Sequence, residues 1–199
     1  MTPARHVLRI SVAILAFAAS IAAPSAAVAA TRVIHWSPFS GDGSLRSGLS
    51  ATPRFGGDCW TGSFVLHHGY RCMSGNRIYD PCFSDPNRDD VVVCVENPFV
   101  RGVVRLRVSG ALDDGYSARP GSVWAVRLAS GTRCAFLAGG ATNADGAGRR
   151  LNYYCRRSNL VLWGSPRRQG STWRIRASHG NNPGLEHLVA ISAAYIGVG

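Results

Sequence analysis

Six cysteines, Cys59, Cys72, Cys82, Cys94, Cys134 and Cys155, constrain the fold of this 199-residue chain more than any other feature. Successive cysteines stand ten residues or more apart and no C-x-x-C pair occurs. A zinc site usually carries at least one ligand pair only about two to four residues apart. The even count therefore reads as three disulfides and leaves no unpaired thiol for nucleophilic chemistry. Many pairings satisfy the count. Neighbour pairing, Cys59–Cys72, Cys82–Cys94 and Cys134–Cys155, is the expected one, because each pair brackets a hairpin-like stretch. Closing loops of that size stabilises by about 3 kcal/mol each in the chain-entropy account.

The first thirty residues explain how such cysteines become oxidised. A basic start (Arg5, His6, Arg9) precedes an apolar run from Ile10 to Ala23, and Ala27-Val28-Ala29 forms an A-x-A cleavage pattern. Residues 1–30 are expected to be a helical signal peptide. The apolar run approaches the roughly 20 residues of a membrane span, but Pro24 and the small-residue end favour cleavage over retention. The leader has no Arg-Arg pair, which points to the general secretory route, and no cysteine near the cleavage site offers a lipid anchor. No later segment reaches transmembrane length. The expected location is secreted or in the cell wall, in surroundings where disulfides persist.

Residues 31–199 are read as a single disulfide-stabilised β domain, long enough to bury a core of its own. Val103 to Val108 alternates, with Val104, Leu106 and Val108 on one face and Arg105 and Arg107 on the other. Val123 to Leu128 alternates likewise, with Trp124, Val126 and Leu128 inward and Arg127 outward. Further strands are expected at 134–136, 151–157, 160–163 and 172–177, with a turn-rich stretch at 164–170. The tail, 185–196, is expected to be a strand that closes a sheet. Residues 111–121 are a candidate hinge and 138–148 a hairpin loop. Short strands punctuated by Gly, Pro, Asn and Asp define the expected class: all-β, a compact sandwich or barrel with three disulfides.

Two stretches are distinctive: Cys59-Trp60-Thr61-Gly62-Ser63, and Tyr70-Arg71-Cys72 running through Gly75-Asn76, Ile78 and Asp80-Pro81-Cys82-Phe83. With Cys134-x-Phe136, Tyr154-Cys155, Leu162-x-Gly164 and Trp173, the pattern resembles a group of exported proteins and extracytoplasmic domains of actinobacteria. The likeness spans roughly residues 35–195 in scattered motifs. It implies an extracytoplasmic location and a shared fold, and it carries no activity, cofactor or ligand with it.

Charge supplies the main candidate site. All 22 basic residues are Arg. Residues 30–132 hold 11 Arg and 9 acids, whereas residues 133–199 hold 9 Arg against Asp145 and Glu186 alone. Arg149-Arg150, Arg156-Arg157 and Arg167-Arg168 are followed by Arg174 and Arg176. The expected anion-binding face is Arg150, Tyr154, Arg156, Arg167, Arg168, Arg174 and Arg176, since guanidinium groups suit phosphates and carboxylates. The bland alternative is a solvated face that keeps the protein soluble.

Other chemistry is weakly signalled. Asp85, Asn87, Asp89 and Glu96 match positions 1, 3, 5 and 12 of a calcium loop, but position 6 is Asp90 where Gly belongs, and a polar turn is the preferred reading. His179, Glu186 and His187 could cluster as an acid–base pair or as metal ligands, the basis of an alternative as a secreted hydrolase. His67 and His68 are expected on opposite faces of a strand. No nucleophile elbow, metalloprotease motif or phosphate loop occurs. The preferred expectation is a non-enzymatic binding protein of the cell envelope, without a cofactor. Its partner would be an anionic polymer, a lipid head group or another protein, and nucleic acid is disfavoured by export. A structural or interaction module with no small ligand is the third reading.

Overall fold

The computed structural model describes residues 29–110, 112, 118–139, 144–180, 182 and 184–199. The leader up to residue 28, most of the 111–121 hinge and residues 140–143 of the expected hairpin loop lie outside the described residues. The described chain is all-β, with twelve strands: β1 (Arg32–Trp36), β2 (Ser50–Gly62), β3 (Tyr70–Ser74), β4 (Arg77–Asp85), β5 (Arg88–Cys94), β6 (Gly102–Val108), β7 (Val123–Leu128), β8 (Arg133–Phe136), β9 (Leu151–Cys155), β10 (Leu160–Gln169), β11 (Thr172–His179) and β12 (His187–Gly197).

Two barrels result. Strands β2 to β6 form an up-and-down meander that closes on itself. Because five is odd, its first and last strands run the same way, and β2 pairs β6 in parallel from Ser50↔Gly102 to Gly57↔Val108. Strands β7 to β12 form a second meander of six, which closes through antiparallel pairing of β12 with β7. Closure leaves little strand edge exposed. The eleven-residue β12 outgrows its neighbours: its first half pairs β11, and its second half takes β1 in parallel, Arg32↔Ala193 to Trp36↔Gly197.

Each disulfide joins direct cross-strand partners. Cys59↔Cys72 links β2 to β3, Cys82↔Cys94 links β4 to β5, and Cys134↔Cys155 links β8 to β9, with Cα–Cα separations of 3.9 Å. The neighbour pairing expected from the sequence is the one present. The first two disulfides fill the first barrel beside Leu106 and Val92, and the third lies among Val126, Leu162, Ile175 and Ile191 in the second. Space in the first barrel is tight, since a Cβ on Gly57 would come within 2.4 Å of Leu106 Cγ.

A third apolar cluster sits between the barrels. Trp36, Phe83 and Trp124, from β1, β4 and β7, form an aromatic triad with ring centroids 5.3–5.9 Å apart. Trp124 thus does not share a face with Val126 and Leu128. A register shift between Tyr195 and Ile196 on the paired strand accompanies the change, so Val123 and Val126 point into the second barrel while Trp124 and Ala125 turn towards the first.

Three other expectations change. Most of the stretch 164–170 is strand and only Gly170 belongs to a turn, with Ser171: β10 continues to Gln169 through a register irregularity between Trp163 and Arg167, with Gly164 at φ 69°. Strand β9 stops at Cys155, so Arg156 and Arg157 form a turn, and Leu151 leaves the barrel interior to pack with Val161 and Trp163. His67 and His68 lie in the loop after β2, their ring centroids 3.9 Å apart, so they stack instead of facing opposite ways.

Candidate functional site

Charge divides between the barrels. From 50 to 108, seven Arg meet six acids, and three of the acids are used locally: Arg71 pairs with Asp80, Arg105 with Asp85, and Arg88 and Arg107 with Asp90. From 123 to 197, ten Arg meet two acids. Both of those acids converge on Arg149, whose Nη2 lies 2.6 Å from Asp145 and 3.9 Å from Glu186. Burial pushes the Asp145 carboxyl up, but the amides of Arg149 and Ala147 and the Arg149 charge outweigh it and hold the group below its usual value. Among the described residues no carboxylate lies within salt-bridge distance of Arg156, Arg167, Arg168, Arg174 or Arg176.

The expected face splits into parts. Arg167 and Arg174 are direct partners across β10 and β11, and Arg176 follows two residues along β11, opposite Trp163. Ile175 and Ala177 point into the barrel, so Arg174 and Arg176 project from its outer surface. There they neighbour Ala190 and the exposed Leu188 of β12. This strip gains a firm base from Trp163, fully buried on the outer side, whose Nε1 donates to Ser178 Oγ at 2.8 Å. Arg156 and Tyr154 lie at the other end of β9 and β10, where Tyr154 pairs with Val161. Arg150 precedes β9, its carbonyl accepting from Gly164 N at 2.7 Å. Arg168 pairs with Trp173 and faces the barrel mouth, away from Arg167.

The remaining candidates do not assemble around one point. Asp85 is buried at the end of β4, where it receives the Asn87 amide and faces Arg105 Nη2 at 3.6 Å. Asn87 Nδ2 donates to Gly43 O, and Asp89 is exposed on β5. Glu96 lies beyond the far end of that strand. His179 closes β11 and His187 opens β12, both exposed. Glu186 Oε1 accepts from Gly184 N, and no hydrogen bond joins it to either histidine among the described residues. The one group of possible metal ligands among the described residues is Cys72, Cys82 and Cys94, and all three are disulfide-bonded.

No protein-family model, no curated protein and no solved structure matches the chain.

Geometry therefore carries the rest. At the mouth of the second barrel, beside Asn152 and Ser165, lies a cleft of about 460 Å³. Phe136, Tyr153 and Trp173 line it from β8, β9 and β11, and Phe64 closes it from the loop after β2. Burial raises the Tyr153 phenol above its usual value, and the hydroxyl donates to Val123 O at 2.7 Å, which fixes the ring. Arg168 is the one charged residue lining the cleft among the described residues, and its Nε donates to Gly170 O at 3.2 Å.

The Phe64 wall is itself held from below. Its backbone N donates to Asp80 Oδ2 at 3.2 Å, and the Arg71 guanidinium lies 4.5 Å from its ring centroid. Ser63 Oγ donates to Asp80 and accepts from the amides of Val65 and Leu66. The sequence reading missed this cleft. Gly170-Ser171 as a two-residue turn would have set Arg168 opposite Trp173, but Phe64 reaches the site from the other barrel by packing that no local pattern encodes.

Proposed function

We propose that this chain is an exported, non-enzymatic binding protein that contacts an anionic component of the cell envelope through its second barrel. The observation that carries the reading is the placing of both acids of that barrel on Arg149, while Arg167 and Arg174 stand opposed with no carboxylate in salt-bridge distance among the described residues. Like charges directly across a strand pair are unfavourable, and a bound anion removes the repulsion. A merely solvated surface gains nothing from two opposed guanidinium groups. Export is supported by the A-x-A leader and by three disulfides. Among the described residues no helix is long and apolar enough to cross a membrane. The likeness to actinobacterial extracytoplasmic domains agrees with that location.

Retention on an immobilised anionic polysaccharide, and on vesicles with and without anionic lipid, tests the reading. Binding falls steeply with added salt, since exposed charges are screened over about 10 Å at 0.1 M. Replacing Arg167, Arg174 and Arg176 together by Ser abolishes it. Retention that ignores salt, or survives the triple replacement, overturns the proposal.

A further inference from the structure

The cleft at the mouth of the second barrel is separate from the outer arginine strip, and the two surfaces ask for different ligands. We infer that the cleft binds a small acidic saccharide unit, with its ring against the aromatic walls and its carboxylate on Arg168. The inference rests on the anion-binding reading for the sign of the charge, and it goes beyond that reading in site and ligand class.

Four observations converge. The volume, about 460 Å³, falls in the range of small-ligand sites. Phe64, Phe136, Tyr153 and Trp173 present aromatic surface, which stacks on the apolar face of a sugar ring and excludes water around it. Arg168 brings the one formal charge among the described lining residues, and with Nε tied to Gly170 O its two Nη groups remain to grip a carboxylate end-on. Asn152 and Ser165 at the rim add polar groups for ring hydroxyls.

The barrel's own filling selects a short ligand over a lipid. Val126, Leu162, Ile175 and Ile191 occupy the interior beneath the cleft and are almost fully buried. A six-stranded barrel is narrow enough for side chains to fill it. An acyl chain has no tunnel to enter, so the ligand stays at the mouth. Rigid elements supply the walls: Phe136 and Trp173 pack on the barrel core, Tyr153 belongs to it, and the Tyr153 hydroxyl is anchored. Among the described residues the cleft is lined by neither Asp, Glu, His nor Cys, so those residues bind and orient a ligand and supply no general base.

Calorimetric titration of the mature, oxidised protein decides the matter, with a glucuronic-acid disaccharide as probe. Its neutral glucose counterpart and benzoate serve as comparisons. The acidic disaccharide binds, and the neutral one is at least about tenfold weaker. Arg168→Gln removes that preference, Trp173→Ala lowers affinity for both sugars, and Arg54→Gln, exposed on β2 of the other barrel, leaves the titration unchanged. A melting curve confirms that Trp173→Ala is folded, and Phe64→Ala, in the other barrel's loop, repeats the loss without touching the second barrel's core. Equal affinity for neutral and acidic sugars, or an unaffected Arg168→Gln variant, overturns the proposal. Benzoate binding as well as the disaccharide does overturns the saccharide class. Because polymer retention is lost through Arg167, Arg174 and Arg176 and not through Arg168, failure of either reading leaves a result distinct from failure of the other.

Discussion

Arg167 and Arg174 face each other directly across β10 and β11, with no carboxylate within salt-bridge distance among the described residues. Direct cross-strand partners hold their Cβ atoms about 4.5–5.5 Å apart. A strand pair chosen for stability alone would place an acid opposite one of them. The first barrel does set an acid opposite an arginine, Asp85 across from Arg88, and it brings Asp85 and Asp90 within salt-bridge distance of Arg105 and Arg107. The contrast within one chain makes the second barrel's surplus a property of that surface and not of an arginine-rich composition.

Arg167→Glu is therefore expected to stabilise the protein while weakening its retention on anionic surfaces. Exchanging a like-charge pair for an opposite one is worth about 0.5 kcal/mol on an exposed sheet face, which raises the melting temperature by roughly 1–2 °C in a domain of this size. A thermal melt and a salt-gradient retention assay read the two effects. A variant that is less stable and still retained would show that no opposition exists to relieve.

Gly57→Ala tests the packing of the first barrel. The added Cβ would meet Cγ and both methyl carbons of Leu106 at 2.4–2.5 Å, and Leu106 is completely buried. Overpacking of this kind costs about 1–3 kcal/mol. Gly102→Ala on β6, where the new Cβ meets nothing within 4 Å, is the matched control. Denaturant melts should separate the two by most of that difference, and equal midpoints would mean that Leu106 has room to yield.

Cys134 and Cys155 are register partners, and Tyr153, one wall of the cleft, lies two residues from the second of them. Replacing both cysteines by Ala is expected to cost about 3 kcal/mol for a loop of 21 residues. Hydrogen exchange should rise first in β8 and β9, since the bridge joins these strands directly. Uniform loss of protection across both barrels would instead assign the disulfide to global stability alone.

Much of the fold is legible in the sequence. The alternation of Val123 to Leu128 marks the bounds of β7, and the hairpins bracketed by cysteines give the disulfide pairing, because both signals are local. The arginine surplus was visible too, but its meaning depends on where Asp145 and Glu186 go, and Glu186 reaches Arg149 from 37 residues away along the chain. Irregularities defeated the finer reading. A register shift turns Trp124 to the opposite face, and another carries β10 through Gly164 to Gln169. A strand's side-chain period is two, so a single extra residue reassigns everything beyond it. The cleft was hidden for a further reason: Phe64 joins Phe136 and Trp173 only because one barrel docks on the other through Trp36, Phe83 and Trp124.

Asp80 links pH to the wall of that cleft. Its side chain is fully buried, and burial pushes its carboxyl above the usual value against the bonds from Ser63, Phe64 and Arg71 that pull it down. The folded protein thus holds this proton more tightly than the unfolded chain. The resulting stabilisation is complete below the ordinary carboxylate pKa and is lost as pH rises through the raised value. Asp145, held below its usual value, contributes in the opposite sense, so the wild-type profile alone mixes the two. Asp80→Asn isolates the term, because Asn does not titrate. Its single acceptor oxygen keeps the bond from Ser63 and gives up those from Phe64 and Arg71. That loss offsets stability equally at every pH and leaves the slope to Asp80 alone. Between about pH 3 and pH 7, wild type should lose stability relative to the Asn variant, measured by denaturant midpoints at each pH. A relative gain over that range would mean that the Arg71 charge outweighs burial and that Asp80 is an ordinary ion-pair carboxylate.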